Sequence, residues 1–394
     1  MNKSEKKVLI TASLFHACND ASVVALPSVF PLLYTEGVLI KKYADIGTIL
    51  VLGLIVSVIF QFIIGHKVKA KHYRCCLALE ALLIGVFLNL MTLSKSFLML
   101  IIFFIGVRIG SSIYHPVGIS WISKTFEGSR IDKAMGIQSA FGDIGVLAAF
   151  VTTGYLADRF GWKAPLILWG SMNLMAIVAG LVTSRGVEII PEKEEKHENV
   201  SWKETFSDLK PLIPPIILGG IAWGVTLGYA PSLLNHKLKL SMSNTGVILG
   251  GWMAMGAIAS VTYGKIAELL GRTKTIITAF VLITISAFSI GLVSRTSIII
   301  VSFLIYGISL FITYPALLSF AGSTTRARNR TATFSTVSNL QILGNSSTAY
   351  ISGFLSDAYG INAPFILLGS ASALVVLYIA GAMKMSKQWR SNNK

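Results

Sequence analysis

Residues 154–168 read GYLADRFGWKAPLIL, and residues 353–367 read GFLSDAYGINAPFIL. Eight of these fifteen positions are identical: Gly154/Gly353, Leu156/Leu355, Asp158/Asp357, Gly161/Gly360, Ala164/Ala363, Pro165/Pro364, Ile167/Ile366 and Leu168/Leu367. The same offset of 199 pairs Gly65 with Gly264, Pro116 with Pro315 and Gly145 with Gly344. Agreement at four separate segments makes the chain two parallel copies of one unit. Parallel repeats of this kind are found in transporters whose site lies near the bilayer midplane.

The composition says what each copy is made of. Of 394 residues, 53% are hydrophobic and 13% charged, against about 25% charged in soluble domains. The mean hydropathy is +0.69. A soluble enzyme, a disordered scaffold and a disulfide-rich secreted domain are thereby set aside. Apolar runs bounded by charges predict twelve spans, at 7–34, 43–64, 75–94, 96–123, 132–156, 162–184, 211–235, 243–266, 273–294, 296–320, 330–356 and 361–383. Twelve spans would use about 240 residues, leaving only short loops. The expected fold is an all-α polytopic membrane protein, with twelve transmembrane helices in two pseudo-symmetric six-helix bundles.

The longest hydrophilic stretch, residues 185–210, holds seven of the 18 acidic residues and reads as a cytoplasmic linker with a short surface helix near Trp202. The expected bundles are therefore residues 1–184 and 211–394. The net charge of +16 is an orientation signal and not a nucleic-acid footprint. On the side of the termini lie 25 lysines and arginines and on the other side 8, while Arg108 falls inside a span, of 34 in all. That bias puts both termini and the central loop in the cytoplasm of a multi-pass cell-membrane protein. The first apolar segment is too long for a cleavable signal and carries Asp20 at its centre. Cys18, Cys75 and Cys76 show no metal spacing and read as packing residues. No P-loop, HExxH or GxSxG occurs, so neither an enzyme nor a bound cofactor is expected.

Charge deep in a span costs at least about 2.5–3.5 kcal/mol and needs a reason. At 1.5 Å rise per residue, Asp20 lies about 18 Å into span 1, Arg108 about 22 Å into span 4 and Asp143 about 16 Å into span 5. His16 and His115 come about one or two turns below them. His16 and Asp20 are four apart and share a helix face; Arg108 and His115 are seven apart, with Ser111 and Ser112 between. An Asp20–Arg108 pair is one expectation, an Asp143–Arg108 pair another, and a purely structural ion pair a third. The glycines of Gly142-Asp143-Ile-Gly145 allow span 5 to pack closely on a neighbour. Glu80, one turn inside span 3, is expected to snorkel to the interface. The second copy has no deep charge: Arg108 becomes Gly307, His115 becomes Tyr314 and Asp143 becomes Ile342. Its candidates for the substrate cavity are Trp223, Thr226, Tyr229, Tyr314, Ser338 and Asn345. Span 11 is unusually polar (SNLQILGNSST, 338–348) and must face protein or water, which adds Asn339 and Gln341.

Gly264-Lys-Ile-Ala-Glu268-Leu-Leu-Gly271-Arg272-Thr-Lys274 resembles the G-x-L-A-D-R-x-G-R-K loop signature of the major facilitator superfamily, and the resemblance extends over essentially the full chain. The loop after span 2 keeps Gly65 and a basic end but has Lys69 in place of the acid, so the cytoplasmic gate is not symmetric. His16-Ala-Cys-Asn19-Asp20 with Pro27 and Pro31, and Tyr114-His115-Pro116 followed by Ala134-Met135-Gly136, resemble the fosmidomycin-resistance branch of efflux proteins. The resemblance implies that spans 1 and 4 line a central cavity, with Arg108 and Asn19 facing it. The implied function is secondary transport of a small organic solute by proton antiport. Asp20 would bind the proton, Arg108 would be its counter-charge, Asp143 would tune the pair, and His16 and His115 would relay protons. The alternative is proton-coupled uptake of an organic anion on Arg108; a non-transporting membrane receptor is a third class. The expected partners are the solute, protons and the lipid bilayer, with no nucleic acid, and the chain is expected to act as a monomer.

Overall fold

The computed structural model describes residues 1–127, 129–187, 202–324 and 330–385, and these are nearly all helical. The helices are α1 (Lys3–Glu36), α2 (Tyr43–Lys67), α3 (Tyr73–Met91), α4 (Phe97–Ser111), α5 (Tyr114–Thr125), α6 (Ser129–Phe160), α7 (Lys163–Thr183), α8 (Trp202–Leu209), α9 (Ile213–Ser232), α10 (Met242–Leu270), α11 (Arg272–Leu292), α12 (Thr296–Thr324), α13 (Arg330–Tyr359) and α14 (Ala363–Met385). With α4 and α5 forming one interrupted span and the short α8 set aside, these give the twelve spans expected. Among the described residues, eleven are long and apolar enough to cross a membrane. The twelfth, α13, carries the polar run 338–348. Most of the expected linker, residues 188–201, lies outside the described residues.

By contact the chain divides into two compact units, Met1–Glu194 with Lys239–Gly250, and Glu195–Leu238 with Gly251–Lys394. Each unit repeats the same packing. In the first, α1 packs most extensively on α6, and α3 packs on α7 and α4; in the second, α9 packs on α13, and α11 on α14 and α12. The repeat glycines explain the first of these pairings. A Cβ on Gly145 of α6 would run into the Ala17 carbonyl of α1, and one on Gly344 of α13 into the Ile217 carbonyl of α9. Small residues let helix backbones touch, which is the means of helix association left in a bilayer. The repeat also ends α6 and α13 alike. Gly161 and Gly360 adopt φ of 75° and 88°, and their amides donate to Ala157 at 3.1 Å and Ser356 at 2.9 Å.

One repeat pair diverges. Pro116 and Pro315 are equivalent, yet only the first interrupts its span. Proline lacks an amide hydrogen and its ring clashes with the carbonyl four residues back, here that of Ser112. The chain leaves the helix at Ser112–Ile113, where the Ser111 and Ser112 hydroxyls donate to the carbonyls of Arg108 and Ile109. In the second unit α12 runs through Pro315 without a break.

The first unit also takes in the first turns of α10. Both oxygens of Asp158 accept backbone hydrogen bonds there, from Met242 and Ser243, each at 2.7 Å. A carboxylate at a helix N-terminus satisfies orphan donors and complements the helix dipole. Gly154 and Gly246 let the two backbones meet beside it.

Candidate functional site

The polar residues of the first unit gather around His16. α1, α5 and α6 supply them, because the glycines of α6 draw it against α1. His16 is buried, and Tyr114 of α5 stacks on its ring at 4.4 Å between centroids. Tyr114 is itself fixed, its hydroxyl donating to the Ala12 carbonyl at 3.0 Å. The His16 Nδ1 lies 2.8 Å from the main-chain carbonyl of Gln138. A carbonyl only accepts, so this contact is a hydrogen bond in the form of the ring that carries a hydrogen on Nδ1. The Gln138 side-chain amide nitrogen lies 2.7 Å from the same Nδ1, a contact in which the amide donates to a ring lone pair.

The tautomer decides the chemistry of the other side. The His16 Nε2 lies 3.1 Å from Asp20 Oδ2. With its hydrogen on Nε2 the ring donates to the carboxylate; with it on Nδ1 a lone pair faces the carboxylate and a proton fits between the two. In either form the two atoms are placed to share a proton. Asp20 Oδ1 accepts from the Asn19 amide at 2.7 Å, leaving Oδ2 to face His16. Asp20 is 25% exposed at its side chain, against 8% for His16, so the pair is reached from one side. Gly142 of α6 leaves this space open. A Cβ there would lie 2.5 Å from His16 Cε1 and 2.9 Å from Asp20 Oδ2. His115 is exposed, with its ring edge-on to His16 at 5.6 Å.

Arg108 is placed differently from either ion-pair expectation. Its Nε donates to the Gly53 carbonyl of α2 at 3.4 Å, and among the described residues neither Asp20 nor Asp143 comes within ion-pairing distance of it. Asp143 is half-buried next to Gly142 and forms no ion pair among the described residues. Glu80 corrects the snorkelling expectation. It is 1% exposed, and its Oε2 has no hydrogen-bond partner. The reason is packing: α3 is flanked by α1, α4, α5 and α7, so the side chain is enclosed by helices. Sequence reasoning passed over Gln138 and Asn173, and quoted Tyr114 only within Tyr114-His115-Pro116, without a role at the site. The Asn173 amide of α7 donates to Ser22 Oγ of α1 at 2.6 Å and to the Trp169 carbonyl at 2.8 Å. A polar residue within an apolar run was the available signal for each.

In the second unit the candidates separate. Tyr229 is fully buried and donates to the Ala349 carbonyl at 2.5 Å, and Thr226 is held by the Ala222 carbonyl and the Tyr306 hydroxyl. These two are packed into the unit. Trp223 is half-buried against Trp252 and Phe311, with ring centroids 5.3 and 5.4 Å away. Tyr314, Ser338 and Asn339 are exposed. Asn345 and Gln341 are half-buried on the α13 face that meets the glycines of α9. At the α10–α11 junction Gly271 has φ of 81° and begins α11, with Glu268 and Arg272 exposed on either side. Gly264 and Gly65 have no backbone neighbour that a Cβ would strike.

Comparison with known proteins agrees with this architecture. The sequence profile described as Major Facilitator Superfamily matches residues 12–325 and again 212–393. A Staphylococcus aureus protein named as a proline/betaine transporter is 24% identical over 157 residues, 37% of this chain and 33% of that one. The D-xylose-proton symporter-like 2 of Arabidopsis thaliana is 28% identical over 134 residues, 31% of this chain and 27% of that one. The chain thus spans about a third of the length of these curated relatives. Among solved structures, an inward-facing bacterial homolog of the human lysosomal transporter Spinster superposes with a TM-score of 0.77 at 13% identity, over 100% of this chain and 99% of that one. At that identity the likeness is one of fold. Repeat, helix packing, loop signature and profile coincide, and the chain belongs to the major facilitator superfamily.

Proposed function

We propose that the chain is a secondary active transporter that moves a small organic solute by alternating access, driven by protons, and that it works as an exporter. The observation that carries this reading is the His16–Asp20 contact: 3.1 Å between two titratable atoms placed to share a proton. It lies deep in span 1 and is reached from one side. A proton there is the simplest occupant, and a solute that displaces it couples the two fluxes. His115 stands next in line, and Asp143 adds a second carboxylate beside Gly142. The segments around His16–Asp20 and Tyr114–Pro116 favour the fosmidomycin-resistance type of efflux. The loop charge bias of 25 to 8 supports cytoplasmic termini and a place in the cell membrane. The transporter works as a monomer.

Arg108 favours a second reading. No carboxylate pairs with it among the described residues, so its charge is free to meet an organic anion such as a carboxylate or phosphonate. Proton-coupled uptake would follow, and a proton-coupled name is carried by one relative.

Proteoliposomes with an imposed pH gradient separate the two. Antiport predicts that added solute moves protons against its own direction, symport with it. Asp20→Asn is expected to abolish gradient-driven flux while leaving the yield of monodisperse protein and its Tm near wild type. Full gradient-driven flux in Asp20→Asn refutes the coupling role. A solute panel read by thermal shift assigns the class, because a ligand of the folded state raises Tm. Stabilisation by organic anions, lost in Arg108→Ala, supports uptake. Stabilisation by lipophilic cations, lost in Asp20→Asn, supports export.

A further inference from the structure

We infer that His16, Asp20 and His115 form a binding site for one divalent transition-metal ion of the zinc class. One ligand atom from each, two ring nitrogens and one carboxylate oxygen, lie within 4.8 Å of one another. Two histidines and one carboxylate are the donor set that suits zinc and its first-row neighbours. The place between His16 Nε2 and Asp20 Oδ2 that a shared proton fills can hold such an ion as well.

Four features beyond the donor set point the same way. First, the 3.1 Å between Nε2 and Oδ2 is close to the separation of about 3.3 Å that two ligands take on a tetrahedral zinc ion. Second, the outer partners are in place. Metal-bound imidazoles donate their other N–H to a carbonyl or carboxylate, and His16 Nδ1 does so to Gln138 at 2.8 Å. Asp20 Oδ1 is occupied by Asn19, which leaves Oδ2 as the ligand atom. Third, the His16 ring is clamped by Tyr114 stacked at 4.4 Å, so its lone pair is already aimed. Fourth, Gly142 keeps the space beside both atoms open. The one adjustment is a swing of the exposed His115 ring, by at most about 1.5 Å, to close the tetrahedral spacing. Three protein ligands leave a fourth position for water or for a donor atom of a bound solute. The three residues sit on two helices, and the 16/20 spacing alone supplies only two ligands, which is why no metal site is legible from spacing.

Ion binding stands apart from the direction and driving force of transport, so the test reads binding and not flux. The full chain is purified in detergent with Cys75 and Cys76 changed to serine, which removes the partly or fully exposed thiols. Cobalt(II) is added and its visible absorption recorded, then zinc is titrated in competition. The expected result is one cobalt per chain with the intense bands of a four- or five-coordinate ion, displaced by zinc, and a raised Tm with either metal. His16→Ala and His115→Ala should each weaken binding by more than 10-fold. Asn19→Ala, which touches no metal, should weaken it by about 10- to 100-fold. Gly142→Ala should block it by filling the site, while His72→Ala, exposed elsewhere, should leave it unchanged. Each variant is checked for an unaltered Tm without metal; should His16→Ala fail that check, His115→Ala and Gly142→Ala decide. Binding that survives both, or cobalt that shows only the weak bands of the hydrated ion, overturns the site. Those results would leave proton-driven flux through wild type and its loss in Asp20→Asn untouched.

Discussion

The two units use one helix crossing for different purposes. In the first, α1 and α6 meet at Gly145 and the Ala17 carbonyl; in the second, α9 and α13 meet at Gly344 and the Ile217 carbonyl. One turn away the equivalent positions have exchanged bulk. Asp20 on α1 faces Gly142 on α6, whereas the repeat places Gly219 on α9 opposite Gln341 on α13. A Cβ on Gly142 would strike His16 and Asp20, and one on Gly219 would come within 3.2 Å of Gln341 Nε2. At such close approach only one helix of the pair can carry a side chain. The first unit gives that room to a carboxylate and its histidine, the second to an uncharged amide. The shared backbone contact is therefore structural, and the charge is what distinguishes the units.

The largest effect should come from breaking what the units share. Gly145→Ala and Gly344→Ala each push a methyl group into a carbonyl that belongs to a helix backbone and cannot rotate away. Overpacking of this kind costs about 1–3 kcal/mol or more. Both variants should lose most of their monodisperse yield, and the survivors should melt well below wild type. Near-normal stability of either would mean that the crossing is looser than its geometry. A smaller structural effect and a complete functional one should come from what the units do not share. Asp20→Asn should stop gradient-driven flux at near-normal Tm, whereas Gln341→Ala should lower Tm modestly and keep the flux. Equal loss of flux in both would end the division of labour.

Much of this was legible in the sequence, because a repeat offset is a statement about topology and needs no side-chain detail. Gly161 and Gly360 could be paired from the sequence, and they do end their helices in the same left-handed conformation. Asp20, His16 and His115 stood out because charge and imidazole are costly inside an apolar run. Their grouping was harder to foresee. Helical spacing placed His16 beside Asp20, but the partner of Arg108 depends on rotamers and on the neighbouring α2, and it proved to be the Gly53 carbonyl. Glu80 was misjudged for a related reason. Depth along a helix says how far a side chain lies from an interface, not whether its face looks toward lipid or toward neighbouring helices. The break at Pro116 and its absence at Pro315 could not be separated by proline alone: Ser111 and Ser112 bond back to the carbonyls of Arg108 and Ile109 in the first unit, and their repeat equivalents Leu310 and Phe311 have no hydroxyl to do so.

A further test concerns the start of α10. Asp158 satisfies two amides of that helix with its two oxygens. Asp158→Ala removes a cap worth about 0.5–2 kcal/mol, and charge at the helix dipole with it. Tm should fall by a few degrees, and Asp158→Asn should recover part of the loss, since an amide oxygen still caps one donor. An unchanged Tm in Asp158→Ala would show that the glycine contact of Gly154 and Gly246 holds the turn unaided.

The smallest expected effect lies in two tyrosines that anchor their units in comparable ways. Tyr114 donates to the Ala12 carbonyl of α1, and Tyr229 to the Ala349 carbonyl of α13. Both carbonyls lie inside helices and keep their ladder bond when the hydroxyl is removed, so neither becomes an orphan. Replacement by phenylalanine should therefore cost toward the low end of the usual 0.5–1.5 kcal/mol, about 0.5 kcal/mol in each case. The stability readout should not tell the two variants apart. The functional readout should, because Tyr114 also stacks on His16 and its hydroxyl fixes where that ring stands. Tyr114→Phe is expected to alter cobalt affinity and the rate of proton-driven flux, while Tyr229→Phe, packed away from any charge cluster among the described residues, changes neither. If both variants leave the two readouts alone, the Tyr114 hydroxyl is not needed to place His16, and Tyr114→Leu, which removes the stacked ring itself, becomes the sharper probe.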